Sequence, residues 1–486
     1  MRRFAPFPLL LLAALSGCNA VGPDFAAPDS GLPERAFVAG ASANVSAPDP
    51  RWWASFRDPT LTALIGEVAQ ANLDVRTASL RVAESRFERG ATASAQLPSL
   101  NGDVKVTREQ YSKNGILSLM NGLVPGGSIA VPPITDHFVG FDAAWEIDLW
   151  GRVRRSVEAA DAQVEMSEDQ RRDALLSVMA ETARDYIQLR GAQVQIGVLT
   201  DNVKVAEGIL KLAEERQAKG MQSALDTENA RSQLEAYRAQ IPPLEQQESE
   251  LINALCFLTD QPPGALRARL GAPRKSPLAL ASVPTGVASD LARRRPDIRA
   301  AEQQLHAATA QTGVAVADFY PKITINGQLG VDSLNTSNLF RAASNQWNFG
   351  PSVSIPIFEG GRLKNTLELR ETQQQEAALA YRKTVLRAWH DVVNALVALQ
   401  SEKARHARLT EQVLHARKAA DIARDRYRDG VTEFINVLDA ERTALSAEQA
   451  QAQSATTLGV DQVQLYKALG GGWEGTFPVE QAAIQK

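Results

Sequence analysis

From Gly360 to Gly470 the chain has no proline, and beyond its Gly360-Gly361 opening only two internal glycines, Gly430 and Gly459. An ordinary globular helix runs about 8–20 residues, so this stretch is far too long to be one. Its apolar spacing is helical all the same. Val385, Trp389, Val392, Leu396 and Leu399 step by four and three, as do Leu409, Val413, Ala416, Ala420, Ala423 and Tyr427. Alternating steps of four and three make a heptad seam along one helix face. Gly430, within Arg428-Asp429-Gly430-Val431-Thr432, is a turn signal. The pattern predicts two antiparallel helices joined near Gly430. The first has roughly 65–70 residues and is on the order of 100 Å long, several times the width of a small domain. Such a hairpin is a shaft or a wall.

The pattern occurs twice. Gly151-Arg152 opens an earlier stretch as Gly361-Arg362 opens the later one, 210 positions apart. At the same offset Gly220 matches Gly430, and Leu175, Met179, Thr182, Tyr186 and Leu189 fall on the second seam. An offset held without a gap over about 70 residues signals duplication. A second offset, 223, sets Leu73-Asp74-Val75-Arg76 on Pro296-Asp297-Ile298-Arg299 and Leu97-Pro98-Ser99-Leu100 on Tyr320-Pro321-Lys322-Ile323. Each half therefore reads helix, extended hairpin, long helix, turn, helix. In the first half the return helix is interrupted at Ile241-Pro242-Pro243, because proline breaks the hydrogen-bond ladder.

Between helices the period changes to two. Val139, Phe141, Ala143, Trp145, Ile147 and Leu149 alternate with small or polar residues, and Val104 and Val106 mark a weaker partner. In the second half Ile323, Ile325, Gly327, Leu329 and Val331 form one such run. Trp347, Phe349, Pro351, Val353, Ile355 and Ile357 form the other. Residues 112–135 and 332–346 read as polar loops between paired strands. Four strands of about ten residues, apolar on one face and polar on the other, suit a transmembrane β-barrel. The pattern alone suits a soluble sheet on a core equally well.

The amino terminus helps to decide. Arg2 and Arg3 precede a short apolar run from Leu9 to Leu15, a signal peptide over residues 1–17. Leu15-Ser16-Gly17-Cys18 resembles a bacterial lipobox, which implies lipidation of Cys18. Asn19, rather than an acidic residue, fits transfer to the outer membrane by resemblance to lipoprotein sorting rules. One other cysteine remains, Cys256, so no internal disulfide framework is expected; it lies in an apolar helical run and reads as core. No apolar run reaches the roughly 18 residues of a spanning helix. Export, a lipid anchor and that missing helix favour the barrel. Four strands cannot close, since about eight is the minimum, and an open edge is not viable in lipid. The barrel must be shared between subunits.

The chain thus divides into a signal peptide (1–17), a lipidated extended tether (18–50), a first helical unit (51–97), a first β-hairpin (98–149) and a first long helical hairpin (150–258). A linker (259–289), a second-repeat helix (290–319), a second β-hairpin (320–358), a second long helical hairpin (359–470) and a short tail (471–486) follow. The formal charge of −4 over 486 residues and the absence of a basic block argue against nucleic acid. The five histidines, His137, His306, His390, His406 and His415, show no metal-ligand spacing and no nucleophile-and-base context. No phosphate loop is present. These features do not suit an enzyme, and no cofactor is expected beyond the covalent lipid on Cys18. Charged runs on the long helices read as solvated faces, outside or lining an aqueous bore.

With this layout the chain resembles the lipoprotein branch of the outer-membrane efflux family (TolC/OprM type, NodT subfamily). The resemblance rests on the lipobox followed by Val21-Gly22-Pro23-Asp24-Phe25, on Trp52-Trp53 and Asp58-Pro59, and on Trp145-Glu146-Ile147-Asp148-Leu149-Trp150-Gly151-Arg152. Arg294-Arg295-Pro296-Asp297-Ile298-Arg299, Phe319-Tyr320-Pro321, Pro356-Ile357-Phe358-Glu359-Gly360-Gly361-Arg362 and Leu465-Tyr466-Lys467-Ala468-Leu469-Gly470-Gly471-Gly472-Trp473 complete it. It covers essentially the whole chain. It implies a mainly α protein with a membrane β-barrel: a homotrimer whose four strands per chain build a shared twelve-stranded barrel. The duplicated hairpins would form an α-barrel in the periplasm, with an equatorial belt made by the helix breaks and the tail. The implied partners are outer-membrane lipid, a periplasmic adaptor and an inner-membrane transporter of the RND (resistance-nodulation-division) type.

A conduit does no bond chemistry, so its important residues should constrict it. The turns at Gly220 and Gly430 are the hairpin tips, which the family places at the closed periplasmic end. The family's aperture has an apolar residue, an Asp and an Arg at the spacing of Ile435, Asp439 and Arg442, which share one helix face. Three-fold symmetry would turn Asp439 into a ring of carboxylates that favours cations. The same spacing suits a surface ion pair. Tyr427 matches the family's latching tyrosine, with Arg426 or Arg428 assisting and Asp226 near the first tip as a further candidate. The family's basic latch residue nearer the Asp ring is Thr432 here in one branch's spacing. Three functions follow: an outer-membrane duct for small-molecule efflux, the same duct serving type I protein secretion, or a lipid-anchored structural coiled coil with a soluble sheet. The lipobox and NodT-like motifs favour the first.

Overall fold

The computed structural model describes residues 20–33, 49–112, 132–221, 223–274, 277, 283 and 288–474. The signal peptide and Cys18 lie outside these residues. A short 3-10 helix, Trp52–Phe56, precedes α1 (Pro59–Ala71) and α2 (Leu73–Ala93). Strands β1 (Ser99–Glu109) and β2 (Ile134–Ile147) lead into α3 (Arg152–Ala218), α4 (Ala224–Arg238) and α5 (Ile241–Leu258). Two single-turn helices, α6 (Arg267–Leu270) and α7 (Leu291–Arg294), stand before α8 (Pro296–Ala317). Then come β3 (Lys322–Ser333), β4 (Asn345–Ser354), α9 (Arg362–Arg428) and α10 (Phe434–Leu469).

The duplication is geometric as well as sequential. Helices α3 and α9 have 67 residues each and start and stop at the same 210-residue offset. Each follows a left-handed glycine, Gly151 at φ 83° and Gly361 at φ 87°. That conformation costs a side chain about 1–2 kcal/mol, so glycine is the residue that turns the chain there. The Asp148 carboxylate adds a cap to α3, accepting from Val153 N at 3.1 Å and Arg154 N at 2.8 Å.

Contacts divide the chain into two units. One comprises residues 1–27, 84–164 and 303–379 and holds the sheet. All pairings in that sheet are antiparallel, in the order β1-β2-β3-β4. Residues 20–27, expected as part of a bare tether, are docked. Val21 N donates to Trp150 O at 3.0 Å. Phe25 stacks on His306 with ring centres 4.3 Å apart. Buried Arg155 reaches Asp24 at 2.5 Å and Glu158 at 2.8 Å.

Two strand ends differ from expectation. β4 stops at Ser354, so Ile355 and Ile357 are not in it, and β2 stops at Ile147, short of Leu149. Pro356 has no N–H to donate to a ladder. After Ile147 the chain turns, with Leu149 N donating to Ile147 O at 2.9 Å.

The other unit comprises residues 28–83, 165–302 and 380–486 and holds the main core. Trp52, Leu61, Leu64, Ile65, Met179, Tyr186, Ile187, Leu189, Ile252 and Leu255 are fully buried there. Both heptad seams enter this core: Val385, Val392 and Leu399 are buried, with Trp389 and Leu396 packed beside them. Trp52 stacks on Tyr466 at 5.3 Å and meets Trp53 and Phe56 edge-on. Each such side chain contributes about 1.5–3 kcal/mol by leaving water. Cys256 is buried and unpaired, as expected of a core thiol.

The first helical unit holds two α-helices, Pro59–Ala71 and Leu73–Ala93. Buried Asn72 separates them, accepting at its Oδ1 from Asp74 N and Val75 N and donating to Leu258 O at 3.0 Å. One side chain thus caps α2 and ties it to the end of α5. Pro242 and Pro243 sit in the first turn of α5, where the missing N–H groups cost nothing. The tail is docked as far as Glu474. Trp473 donates to Arg294 O and Gly470 O, and the guanidinium groups of Arg172 and Arg299 both lie against its ring, 5.1 and 5.3 Å from the ring centre.

Candidate functional site

The two hairpin tips are built alike. At the first, Gly220 N donates to Gln217 O at 2.9 Å and Met221 N to Arg216 O at 3.0 Å. At the second, Gly430 N donates to Tyr427 O at 3.0 Å and Val431 N to Arg426 O at 2.8 Å. This pair of bonds closes a helix by satisfying carbonyls that lack partners at its end, and it requires a left-handed residue. Gly220 at φ 68° and Gly430 at φ 77° supply it.

Beyond the second tip, α10 is two-sided. Phe434, Val437, Leu438, Glu441, Ala444 and Leu445 are buried, whereas Ile435, Asp439 and Arg442 share the exposed face. The structure therefore brings the three predicted constriction residues onto one stripe. It does not pair Asp439 with Arg442. The Arg442 guanidinium instead donates from Nε to Gln233 Oε1 of α4 at 2.5 Å, and Asp439 has no ion pair among the described residues. The carboxylate is left facing solvent.

Tyr427 is buried in its own chain. Its ring packs with Phe434, Val437, Leu438 and Ala230, at 5.5 Å from the Phe434 ring. The Arg216 guanidinium of the first hairpin lies 4.5 Å from the centre of the Tyr427 ring, and its Nη2 donates to Arg428 O at 2.9 Å. Arg428 also pairs with Asp425 at 3.3 Å. Arg426, the duplicate of Arg216, is exposed and has no ion pair among the described residues. Asp226 is half-buried in the first turn of α4, its N–H donating to Ser223 O at 3.2 Å. Next to it, Thr227 Oγ1 donates to Gln217 Oε1 at 2.6 Å and fastens α4 back onto α3.

The sheet is the second functional surface. On one face Phe141 stands opposite Gly102 and Leu329, Val139 opposite Val104 and Val331, and Trp347 opposite Leu329. On the other, Asp142 stands opposite Asn101 and Gln328, and Gln328 opposite Asn348. The apolar face is bare: Val104 is 78% and Trp347 76% exposed. A patch of this kind needs a non-aqueous neighbour. Among the described residues no helix is long and apolar enough to cross a membrane. Among the described residues β1 and β4 each have one unpaired edge.

Sequence reasoning missed two things in the sheet. It did not foresee that β2 of the first half pairs with β3 of the second. It also passed over Phe138, the one aromatic on the polar face. A side chain placed on Gly140 or Gly330, which face each other across that pairing, would meet the Phe138 ring at 2.5 or 2.7 Å. Two glycines inside otherwise regular strands were the available signal.

No cluster of three or more His, Cys, Asp or Glu side chains suited to a metal ion occurs among the described residues.

Comparison with known proteins agrees with this geometry. The family model for outer membrane efflux proteins matches residues 64–259 and 287–471. The probable outer membrane lipoprotein SilC of Salmonella typhimurium is 30% identical over 94% of this chain and 96% of its own length. The solvent efflux pump outer membrane protein SrpC of Pseudomonas putida is 28% identical over 97% of this chain and 99% of its own. The solved structure of the outer-membrane channel OprN superposes with a TM-score of 0.86 at 33% identity, over 93% of this chain and 99% of that one. The chain belongs to the outer membrane efflux protein family, and it is a non-enzymatic efflux channel of the outer membrane with a large periplasmic extension.

Proposed function

We propose that three copies of the chain form one duct, each giving four strands to a shared barrel and two helical hairpins to the periplasmic wall. The observation that carries this is the open sheet, apolar on one face and polar on the other, with both edges unpaired. Open edges are not tolerated in lipid, and three such sheets give twelve strands, enough to enclose an aqueous channel. The polar face, with Asn101, Asp142, Gln328 and Asn348, lines the bore.

The tips at Gly220 and Gly430 form the periplasmic end. There the exposed stripe of Ile435, Asp439 and Arg442 narrows the duct, and three Asp439 carboxylates favour cations. Tyr427, Arg426, Arg428 and Asp226 are the groups placed to latch neighbouring hairpins. A lipid on Cys18 adds an anchor. A periplasmic adaptor and an inner-membrane transporter, of the RND type, deliver small molecules to the duct; the similarity to SrpC, a solvent efflux pump outer membrane protein, supports cargo of that size.

Planar-bilayer recording of the purified protein beside Asp439→Ala tests the reading. Cation-selective current from a three-chain particle is expected, with more current or less selectivity in the variant. A single-chain particle that carries no current would overturn the duct, and an unchanged current in the variant would overturn the aperture.

A further inference from the structure

Phe138 is the exception on the polar face of the sheet, where the residues of β1, β3 and β4 are all polar or glycine. A strand side chain ordinarily stands upright from its sheet. This one lies down. A Cβ on Gly140 would fall 2.5 Å from its Cζ, and one on Gly330 2.7 Å from its Cε2. The ring thus occupies the space of two missing side chains, over the backbone of the Gly140–Gly330 pair. Phe138 is half-buried, and with backbone beneath it the surface it keeps is turned away from the sheet. Covering strand glycines with an aromatic ring regains lost packing. The sheet does this twice on its apolar face, where Phe141 and Phe349 lie 3.6 and 3.5 Å from the Cβ positions of Gly102 and Gly327. Packing therefore explains the tilt of Phe138. It does not explain an apolar ring in a polar wall.

The charges around the ring are mostly of one sign. Lys105 of β1 and Asp332 of β3 stand directly opposite Phe138. Asp103 stands opposite Gly140, and Asp136 and Asp142 share the polar face of β2. The Asp103 side chain lies against that of Asp142, and the Asp332 side chain against that of Asp136. Carboxylate pairs therefore bracket the ring, with a single ammonium beside it. An anion is repelled there, and a neutral molecule uses only the ring. A flat organic cation uses both parts, because the face of an aromatic ring attracts positive charge and the carboxylates add Coulomb attraction.

We propose that Phe138, laid over Gly140 and Gly330 and bracketed by carboxylates, is a binding platform for flat organic cations on the wall of the bore. The proposal rests on the reading of the polar face as that wall. Three copies of the chain place three platforms at one level. Phe138 lies in the half of β2 away from α3, so cargo meets it late on its way out. Because each ring lies flat, it does not narrow the passage. It gives cargo a place to rest, and a contact this small is weak enough to release it, which conduction requires. Phe138 thereby favours planar cations over anions of the same shape.

The test is fluorescence polarisation of rhodamine 6G, a flat aromatic cation, titrated with the full-length protein in phosphatidylcholine nanodiscs against empty nanodiscs. Fluorescein, a flat aromatic anion, is titrated in parallel. The bore is reached from its exit end, so binding does not depend on the periplasmic aperture. Rhodamine 6G binds saturably and fluorescein does not. Phe138→Leu keeps an apolar side chain over the glycines, removes the aromatic face and weakens rhodamine 6G about 2–5-fold, the size of an exposed cation–π contact. Phe138→Tyr binds as the unmodified protein does. Asp332→Asn keeps the ring and also weakens binding; it carries the test should Phe138→Leu fail to assemble. No saturable binding, equal binding of fluorescein, or a Leu or Asn variant that binds as the unmodified protein would overturn the proposal. Gln328→Cys, probed with a membrane-impermeant methanethiosulfonate, separates the layers, since the natural Cys256 is buried. If it is labelled while Phe138→Leu binds unchanged, only the platform fails; if it is not labelled, the reading of the polar face as the bore wall fails.

Discussion

Arg216 joins the tip of one hairpin to the tip of the other, and its removal has a calculable local cost. Helix α9 ends with carbonyls that have no partner in the helix, and Arg216 Nη2 donates to that of Arg428 at 2.9 Å. The same guanidinium stacks 4.5 Å from the centre of the Tyr427 ring. A cation–π contact at a partly exposed site is worth about 0.5–1 kcal/mol. A typical net hydrogen bond adds about 0.5–1.5 kcal/mol, from which ordering the side chain subtracts part. Arg216→Ala should therefore favour opening of the second tip by about 1–2 kcal/mol, a factor of roughly 5–30. Amide hydrogen exchange by mass spectrometry, on protein in lipid nanodiscs, reads this directly. The amides of Gly430 and Val431, which close the tip, should lose protection by that factor. Amides in the Val385–Leu399 seam should not change, because that segment sits in a separate core. Arg216→Lys keeps the charge without the planar group and should recover less than half of the effect. Unchanged protection at Gly430 and Val431, or an equal loss along all of α9, would refute the reasoning.

Two further outcomes follow from the same contacts. Gly220→Ala and Gly430→Ala meet no atom within 4 Å, yet both force a side chain into the left-handed region, so each should cost about 1–2 kcal/mol at its own tip and accelerate proteolysis there. Equal rates in the parent and both variants would show that the turns tolerate a side chain. Asp173 carries a carboxyl pushed up by burial and by Asp297. A raised carboxyl contributes stability below the ordinary value of about 4 and loses it as pH rises through the raised value, so Asp173→Asn should melt higher than the parent at neutral pH and converge with it in acid. A variant that melts lower at neutral pH would contradict that sign.

Much of the molecule is legible along the chain. The glycines at Gly151, Gly220, Gly361 and Gly430 and the absence of proline between them bound α3 and α9, because helix starts and stops are local backbone events. The heptad steps through Val385, Val392 and Leu399 name the buried face, because a helix repeats on a period that sequence records. Period-two alternation names the strands and the polar and apolar faces of the sheet. Pro356 shows the limit of that pattern: apolar alternation continues through Ile357 while the ladder ends at Ser354, since alternation tracks side chains and pairing needs N–H groups.

What the chain determines by itself is therefore whatever depends on neighbours a few residues away: element type, length, turn position, face and internal repetition. Only the tertiary structure decides contacts between residues far apart in sequence. It pairs β2 with β3 across the two repeats, turns Arg442 to Gln233 rather than to Asp439, sets Trp473 against Arg172 and Arg299, and buries Glu441 against Arg424. Each of these is a choice among partners that local spacing leaves equally near, and it is made by packing, desolvation and charge in three dimensions.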